Sequence, residues 1–196
     1  MFARTERLLL RPSWPEDARD LHDAIADEGI VRNLARAPWP YSEDEARRFA
    51  ATEHDGNLPA FLLMLRTDGS PRLIGACGLG ERNGDVELGY WISRPYWGLG
   101  FATEAGRAVV NIARAIGHRK LVAGHFADNP ASGRVLRKLG FRPTGKSEVR
   151  KTKGRSDAAP SLLYERSLED SSTQGVDRPR MFAPTIREQF EQLQAA

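Results

Sequence analysis

The sequence has very little cysteine and histidine. Cys77 is the single cysteine among 196 residues, which excludes an intrachain disulfide framework and a multi-cysteine metal site and favours a reducing compartment. It lies in an apolar run without a paired histidine, and this favours a small core residue over a nucleophile. The four histidines lack the spacing of metal ligands, so we expect no metal. They are His22, His54, His118 and His125. For His125, near the end of a predicted strand, a structural role is favoured over a place in a cleft.

Long apolar runs and a strong charge imbalance are also missing. No segment approaches the ~18 apolar residues of a membrane-spanning helix, and the N-terminal stretch is too polar for a signal peptide. The 29 basic and 26 acidic side chains give a net charge of +3. A nucleic-acid-binding protein shows a clustered basic stripe instead. These absences predict a cytoplasmic protein that binds no nucleic acid directly and no membrane, with a weak preference for anionic ligands.

Capping patterns place helices in the first quarter of the chain. A short apolar run at 6–12 predicts a first strand. Ser13 with Glu16, and Ser42 with Glu45, have the spacing of capping boxes, so we expect a helix after each pair, the second through about His54.

Apolar runs and turn residues then predict strands with two later helices. Asp68-Gly69 and Asn83-Gly84 separate runs at 60–66, 71–80 and 86–93, which indicates an antiparallel meander of three strands. A helix from 101 to Gly117, a strand at 120–126, a helix from Asn129-Pro130 to Gly140 and a final hairpin follow. The total is about seven strands.

The stretch WGLGFAT at 97–103 joins a predicted strand to a predicted helix. Glycines let a backbone approach a ligand closely, and free N–H groups at a helix start suit a phosphate. A dinucleotide-binding motif would have a third glycine where Thr103 stands, and no Gly-Lys-Ser/Thr phosphate loop occurs. The loop is therefore either a phosphate site of another kind or only a tight strand-to-helix turn.

The order of elements, together with ELGYWI at 87–92, YWGLGFATEA at 96–105 and NPASGRVLRKLGF at 129–141, resembles the GNAT superfamily of N-acetyltransferases. The superfamily pattern Gln/Arg-x-x-Gly-x-Gly/Ala aligns with Trp97 to Ala102, and Trp97 replaces the Gln or Arg. An aromatic there, and APWPY at 37–41, resemble the Rim-type branch of ribosomal-protein N-terminal acetyltransferases.

The resemblance implies an α/β (α+β) GNAT fold at 1–168. Its mixed, twisted sheet of about seven strands would be flanked by helices and splayed between the fourth and fifth predicted strands, 86–93 and 120–126. The resemblance leaves the tail unexplained, but the sequence of residues 169–196 predicts a linker and a short amphipathic helix with Ile186, Phe190 and Leu193 on one face. This helix would dock on its own domain or on a second subunit, so a homodimer is one expectation.

The resemblance also implies an acetyl-CoA site without a metal. The pyrophosphate would lie at the helix start formed by Trp97, Gly98, Leu99, Gly100, Phe101, Ala102 and Thr103. The pantetheine arm would pair like an added strand with Trp91, Ile92 and Ser93, where a backbone N–H would polarise the thioester carbonyl. Asn129 would contact the arm, although capping the following helix alone explains an Asn-Pro pair.

Two residues are candidates for catalysis by analogy with the superfamily. Glu87 aligns with the glutamate base and would act through water; alternatively it is a strand-edge or salt-bridged carboxylate. The tyrosine acid of many members is replaced by Leu136. Ser132 would hydrogen-bond the leaving sulfur, which needs little proton assistance because a thiol has a pKa of about 8.5; alternatively it only satisfies neighbours in the first helical turn.

Three functions remain open at this point, of which the first is the one we predict. The chain would acetylate the α-amine of a protein or peptide, acetylate a small amine such as an antibiotic or metabolite, or bind acyl-CoA as a sensor without catalysis. The basic residues near the final hairpin predict a solvated surface or, alternatively, attraction of an acidic substrate. They are Arg142, Lys146, Arg150, Lys151, Lys153 and Arg155.

Overall fold

The computed structural model describes residues 1–53 and 55–169. In this part of the chain, eight strands form one sheet: β1 (Ala3–Arg4), β2 (Leu8–Arg11), β3 (Ala60–Leu65), β4 (Arg72–Arg82), β5 (Asp85–Ile92), β6 (Lys120–Phe126), β7 (Arg142–Arg150) and β8 (Ala159–Ser167). The helices are α1 (Ala18–Ile25), α2 (Glu28–Val31), α3 (Glu43–Ala50), α4 (Phe101–Ala115) and α5 (Pro130–Lys138), with 3₁₀ turns at Pro15–Asp17 and Arg94–Tyr96.

The sheet divides between two parallel strands. Its order is β1-β2-β3-β4-β5-β6-β8-β7, and each neighbouring pair is antiparallel except β5 and β6. Those two strands share one residue pair, Glu87 with Val122. The predicted α/β fold with a splayed, mixed sheet is confirmed. The eighth strand is β1, and its two residues are too few to show an apolar alternation.

The two faces of the sheet bury two separate cores. Because side chains alternate along a strand, Leu63 of β3 packs with α4 and α5, whereas Leu62 and Met64 pack with α1, α2 and α3. Helix α4 presents one apolar stripe to the first core, formed by Phe101, Ala105, Val109, Val110 and Ala113. The stripe fixes the helix against the sheet and leaves its N-terminus at the split.

Turn and cap chemistry explains most element boundaries. Asn83 and Gly84 adopt left-handed φ values of 51° and 82°, as a two-residue hairpin between β4 and β5 requires. Ser42 Oγ accepts a hydrogen bond from the Glu45 amide, which confirms the predicted cap of α3. This helix ends at Ala50, so the predicted end near His54, which lies outside the described residues, is too late.

The predicted capping box at Ser13 is wrong. The amide of Trp14 donates to the carboxylate of Asp17 instead, at 2.8 Å. Within the described residues the buried hydroxyl of Ser13 has no hydrogen-bond partner. Asp17, rather than Ser13, caps this turn because Arg11 also donates two hydrogen bonds to the Asp17 carboxylate and holds it in place. The tail predicted at 169–196 falls outside the described residues from 170 onward.

Candidate active site

The glycine loop presents free backbone amides at the N-terminus of α4. Gly98 and Gly100 adopt left-handed φ values of 77° and 86°, which favour glycine. The amides of Thr103 and Glu104 donate to the Gly100 carbonyl. The amides of Phe101 and Ala102 find no acceptor within the described part of the chain. Since these N–H groups open a helix of 15 residues, the loop offers the donors and the positive dipole end that bind an anion.

An arginine from the start of β2 holds this loop in place. Arg7 donates from Nη1 to the Leu99 carbonyl at 3.0 Å and pairs with Glu104 in the first turn of α4. Burial opposes ionisation of Glu104, but hydrogen bonds from Thr5 and Arg7 prevail and lower the pKa of its carboxyl. The sequence gives no indication of this contact because 92 positions separate Arg7 from Leu99.

The strand edge at the split differs in detail from the prediction. The Ser93 amide donates to the Ile74 carbonyl of β4 at 2.8 Å, so it faces away from the split. Because backbone groups alternate sides along an antiparallel strand, those of Tyr90 and Ile92 face the split instead. The Ile92 carbonyl already accepts a hydrogen bond from the Trp97 indole at 2.6 Å. The edge available to a ligand is therefore centred on Tyr90 and Ile92, rather than on Trp91, Ile92 and Ser93.

A cleft of about 730 Å³ lies at the split. Most of the predicted site residues line it: Glu87, Trp91, Ile92, Trp97, Gly98, Gly100, Phe101, Ala102, Thr103, Asn129 and Ser132. Two predicted residues, Ser93 and Leu99, do not. Tyr90, His125 and Arg150 line the cleft as well. One cleft thus brings together the glycine loop, the strand edge and the start of α5.

The start of α5 carries a capped turn and a hydroxyl pair. Asn129 Oδ1 accepts a hydrogen bond from the Ser132 amide at 3.3 Å, so its predicted capping role is confirmed. The Ser132 hydroxyl lies 2.8 Å from the Tyr90 hydroxyl of β5. Tyr90 was not among the predicted site residues, although ELGYWI placed it in the motif. Because side chains alternate along a strand, Tyr90 points to the α5 side of the sheet, and Glu87 and Trp91 point to the other side.

Glu87 forms ion pairs with two arginines, Arg82 and Arg150, on the opposite side of the sheet from Tyr90. Its Oε1 accepts from Arg82 Nη1 at 2.9 Å and lies 3.6 Å from Arg150 Nη1, with its side chain 20% exposed. Glu148 contacts both arginines. Glu87 is therefore a salt-bridged carboxylate, which was the alternative to its role as a base. Within the described residues its other oxygen, Oε2, has no partner, so both roles can coexist. A carboxylate so placed is oriented, and one oxygen stays open to water.

Two members of the basic cluster, Arg150 and Arg155, are partly or largely buried in ion pairs, which corrects the prediction of a solvated surface for them. The Arg155 side chain is only 7% exposed, donates to Asp128 at 2.8 Å and stacks on Phe126 with its guanidinium carbon 4.0 Å from the ring centroid. The hydrogen bond from Arg155, with the charges of Arg155 and Arg32, holds the pKa of the Asp128 carboxyl below its usual range, although burial acts against this. Arg150 pairs with Glu87 and Glu148, as described above. Of these two arginines, Arg150 lines the cleft.

Cys77 and His125 are both buried. Burial raises the pKa of the Cys77 thiol to about 12, so the thiolate is scarce at neutral pH and the predicted core role is supported. His125 lines the cleft but uses Nδ1 against the Phe126 carbonyl and Nε2 against the Tyr164 hydroxyl. Within residues 1–53 and 55–169 no group of three or more His, Cys, Asp or Glu is arranged to hold a metal ion. No helix in the same ranges is both long and apolar enough to cross a bilayer.

Comparison with known families decides the identity of the fold. Residues 7–142 match the family model described as the acetyltransferase (GNAT) domain. The chain belongs to the GNAT acetyltransferase family. It is accordingly an N-acetyltransferase that depends on acetyl-CoA. The GNAT match spans the glycine loop, β5, β6 and the start of α5, so most of the cleft lies inside the matched region, and Arg150 and Ser161 line it from beyond that region.

Relatives and solved structures agree with this GNAT assignment. The chain is 27% identical over 159 residues to the uncharacterized N-acetyltransferase p20 of Bacillus licheniformis, covering 77% of this chain and 88% of the relative. A GNAT-family acetyltransferase structure from Bacillus anthracis superimposes with a TM-score of 0.72 at 22% identity, over 85% of this chain and 98% of that one. The structure of RimL, a ribosomal L7/L12 alpha-N-protein acetyltransferase in complex with coenzyme A, gives 0.69 at 20% identity, over 85% and 98%. The neighbours thus include Rim-type proteins, in line with the resemblance noted in the sequence.

Proposed function

We propose that this GNAT protein transfers acetyl from acetyl-CoA to the α-amine of a protein or peptide by direct attack, without a covalent enzyme intermediate. The observation that carries the proposal is the cleft itself. Its lining includes free helix amides, an open strand edge, a serine hydroxyl and an oriented carboxylate, and this supports the proposal. These are the groups needed to bind pyrophosphate, align a thioester, assist a leaving thiolate and receive a proton.

The acetyl-CoA donor fits the loop and the strand edge. Its pyrophosphate would accept hydrogen bonds from the Phe101 and Ala102 amides, which have no acceptor among the described residues. Its pantetheine arm would pair with the backbone of Tyr90 and Ile92, which faces the split. Asn129, already the cap of α5, stands beside this path and would contact the arm.

The chemistry needs one base and one hydrogen bond to sulfur. The amine nitrogen attacks the thioester carbonyl carbon, the carbon–sulfur bond breaks, and the electron pair leaves on sulfur. Glu87 would take the amine proton through a water molecule at its open Oε2, while Arg82 and Arg150 hold Oε1. The Ser132 hydroxyl would donate to the thiolate as charge develops.

An α-amine is the easier acceptor for such a site. Ordinary pKa values are about 7.7 to 8.0 for an α-amine and 10.4 for lysine, so freeing a lysine amine at pH 7 costs roughly 3.5 kcal/mol more. A site with one carboxylate base and no tyrosine acid at Leu136 is matched to the less costly amine. The name of the RimL neighbour, an alpha-N-protein acetyltransferase, agrees with this choice.

A pair of blocked peptides tests the acceptor class. One peptide carries a free α-amine and a blocked lysine, and its partner the reverse; free CoA thiol is measured for each. We expect faster transfer to the α-amine. Faster transfer to lysine, or transfer only to small amines in a wider screen, would overturn the acceptor proposal. Binding of acetyl-CoA without transfer to any amine would instead indicate a sensor.

Replacing Glu87 with Gln tests the base. We expect turnover to fall by roughly 10²-fold at neutral pH, with the affinity for CoA retained, because a positioned base contributes about that much. Glu165→Gln, on strand β8 and outside the cleft, is the matched control. Unchanged turnover in Glu87→Gln would remove this carboxylate from the mechanism.

A further inference from the structure

The Tyr90 hydroxyl has two possible acceptors on one residue. It lies 2.8 Å from Ser132 Oγ and 3.1 Å from the Ser132 carbonyl oxygen, and both residues line the cleft. It has no other hydrogen-bond partner in the described part of the chain. The contact joins β5 to the first turn of α5 across 42 positions of sequence. Strand β5 and the helix that follows β6 are therefore linked at the serine expected to meet the leaving sulfur.

Counting protons shows that the pair can exist in two arrangements. Each hydroxyl has one proton to donate. In one arrangement Ser132 donates to Tyr90, and Tyr90 donates to the Ser132 carbonyl, so no proton points into the cleft. In the other, Tyr90 donates to Ser132 Oγ and the Ser132 proton is free to point at a ligand. Both arrangements use the same heavy-atom positions, and either hydroxyl can be the donor in the short contact.

We propose that Tyr90 is a positioning residue that turns the Ser132 proton toward the leaving sulfur as negative charge develops there. The proposal rests on the proposed role of Ser132. A neutral thioester sulfur attracts the proton weakly, whereas a thiolate accepts a charge-assisted hydrogen bond, which is roughly twice as strong. The change from the first arrangement to the second therefore stabilises the transition state more than the bound substrate, which is the condition for raising kcat.

Tyr90 keeps its own proton during this step. Burial raises the pKa of its hydroxyl, chiefly because the ring is packed between the sheet and α5, although the bond to Ser132 acts in the opposite direction. A thiol has an ordinary pKa of about 8.5, well below that of a phenol at about 10. Transfer of the tyrosine proton to the thiolate is therefore uphill, and the residue supplies a hydrogen bond rather than a proton.

A double-mutant cycle tests the proposal. The variants are Tyr90→Phe, Ser132→Ala and both together. Tyr41→Phe is the control because it removes the hydroxyl of another buried tyrosine, in the core formed with α1, α2 and α3. We expect Tyr90→Phe to lower kcat roughly tenfold, about 1.4 kcal/mol, with the KM for acetyl-CoA and the melting temperature little changed. In the Ser132→Ala background the same change should cost less than twofold.

The outcomes separate this proposal from the function on which it rests. If Ser132→Ala is slow and Tyr90→Phe is as fast as Tyr41→Phe, the role of Tyr90 is refuted and that of Ser132 stands. If the two changes add fully, Tyr90 acts independently of Ser132 and the proposal also fails. If Ser132→Ala keeps full turnover, both the assigned role of Ser132 and the inference about Tyr90 are wrong.

Discussion

A single position in the glycine loop allows a sharp test of the cofactor site. Gly100 precedes the free amides of α4 and adopts a φ of 86°. A Cβ added there would meet only Arg7 Nη2, at 3.6 Å, which is an ordinary contact. Apart from the strain of the left-handed φ, a side chain at this position therefore meets no clash, and we expect it to extend into the space of the pyrophosphate. Gly100→Glu adds a negative charge, and Gly100→Gln adds nearly the same volume without charge.

The expected effect follows from two energies. The left-handed φ costs a side chain about 1–2 kcal/mol whatever its chemistry, so both variants should lose similar stability. Two unit charges 4 Å apart repel by about 1 kcal/mol in water and about 4 kcal/mol in the surroundings of a protein surface. Arg7 is 41% exposed and already paired with Glu104, so it offsets only part of this repulsion. We therefore expect Gly100→Glu to bind CoA roughly 10- to 100-fold more weakly than Gly100→Gln.

Thermal shift and calorimetry measure this difference. Ligand at 100 times its dissociation constant should stabilise the protein by about 2.7 kcal/mol, and Gly100→Glu should lose about half of that shift or more. Gly117→Ala is the control for backbone strain because Gly117 has a φ of 97° at the far end of α4. If Gly100→Glu folds and binds CoA as tightly as Gly100→Gln, the pyrophosphate does not lie at this loop and the cofactor assignment is wrong.

Two further predictions concern buried contacts outside the chemical step. Burial opposes ionisation of Asp17, but hydrogen bonds from Arg11 and the Trp14 amide prevail and lower its pKa below 3.8. The ion pair therefore stabilises the fold above that pH, and the contribution is lost as pH falls through the lowered pKa. Asp17→Asn should cost about 3 kcal/mol in urea unfolding at pH 7 and clearly less in acid; equal losses would contradict this. Gly133→Ala would put a Cβ 2.5 Å from His125 Nε2, so we expect a lower melting temperature despite the gain in helix propensity, and an unchanged one would show that the ring moves aside freely.

Local chemistry made much of the fold predictable. Helix α4 begins after two left-handed glycines and ends before a third, and Asn129 followed by Pro130 opens α5 as predicted. The hairpin at Asn83-Gly84 forms for the same reason, since both positions tolerate a positive φ. In each case the deciding interactions lie within a few residues of one another, and a sequence pattern records them.

Contacts between residues distant in the chain could not be predicted from the sequence. Arg150 reaches Glu87 from β7, and the Tyr90 hydroxyl reaches Ser132 across the split, so both pairs exist only once the strands are ordered. The cap at Ser13 failed for a related reason. Its spacing fits a capping box, but Asp17 makes stronger bonds with the Trp14 amide and with Arg11. A sequence pattern indicates which donors and acceptors could pair. Contacts formed by the folded chain determine which of those pairs exist.

The single residue pair between β5 and β6 has a consequence for folding as well as for binding. The sheet halves β1–β5 and β6–β8 share few backbone hydrogen bonds, so a pantetheine arm lying in the split would act as an additional strand between them. Ligand binding and cohesion of the two halves are then thermodynamically linked. In a cell, a fall in acetyl-CoA would leave more of the protein open to proteases, and its lifetime would follow the supply of its own substrate.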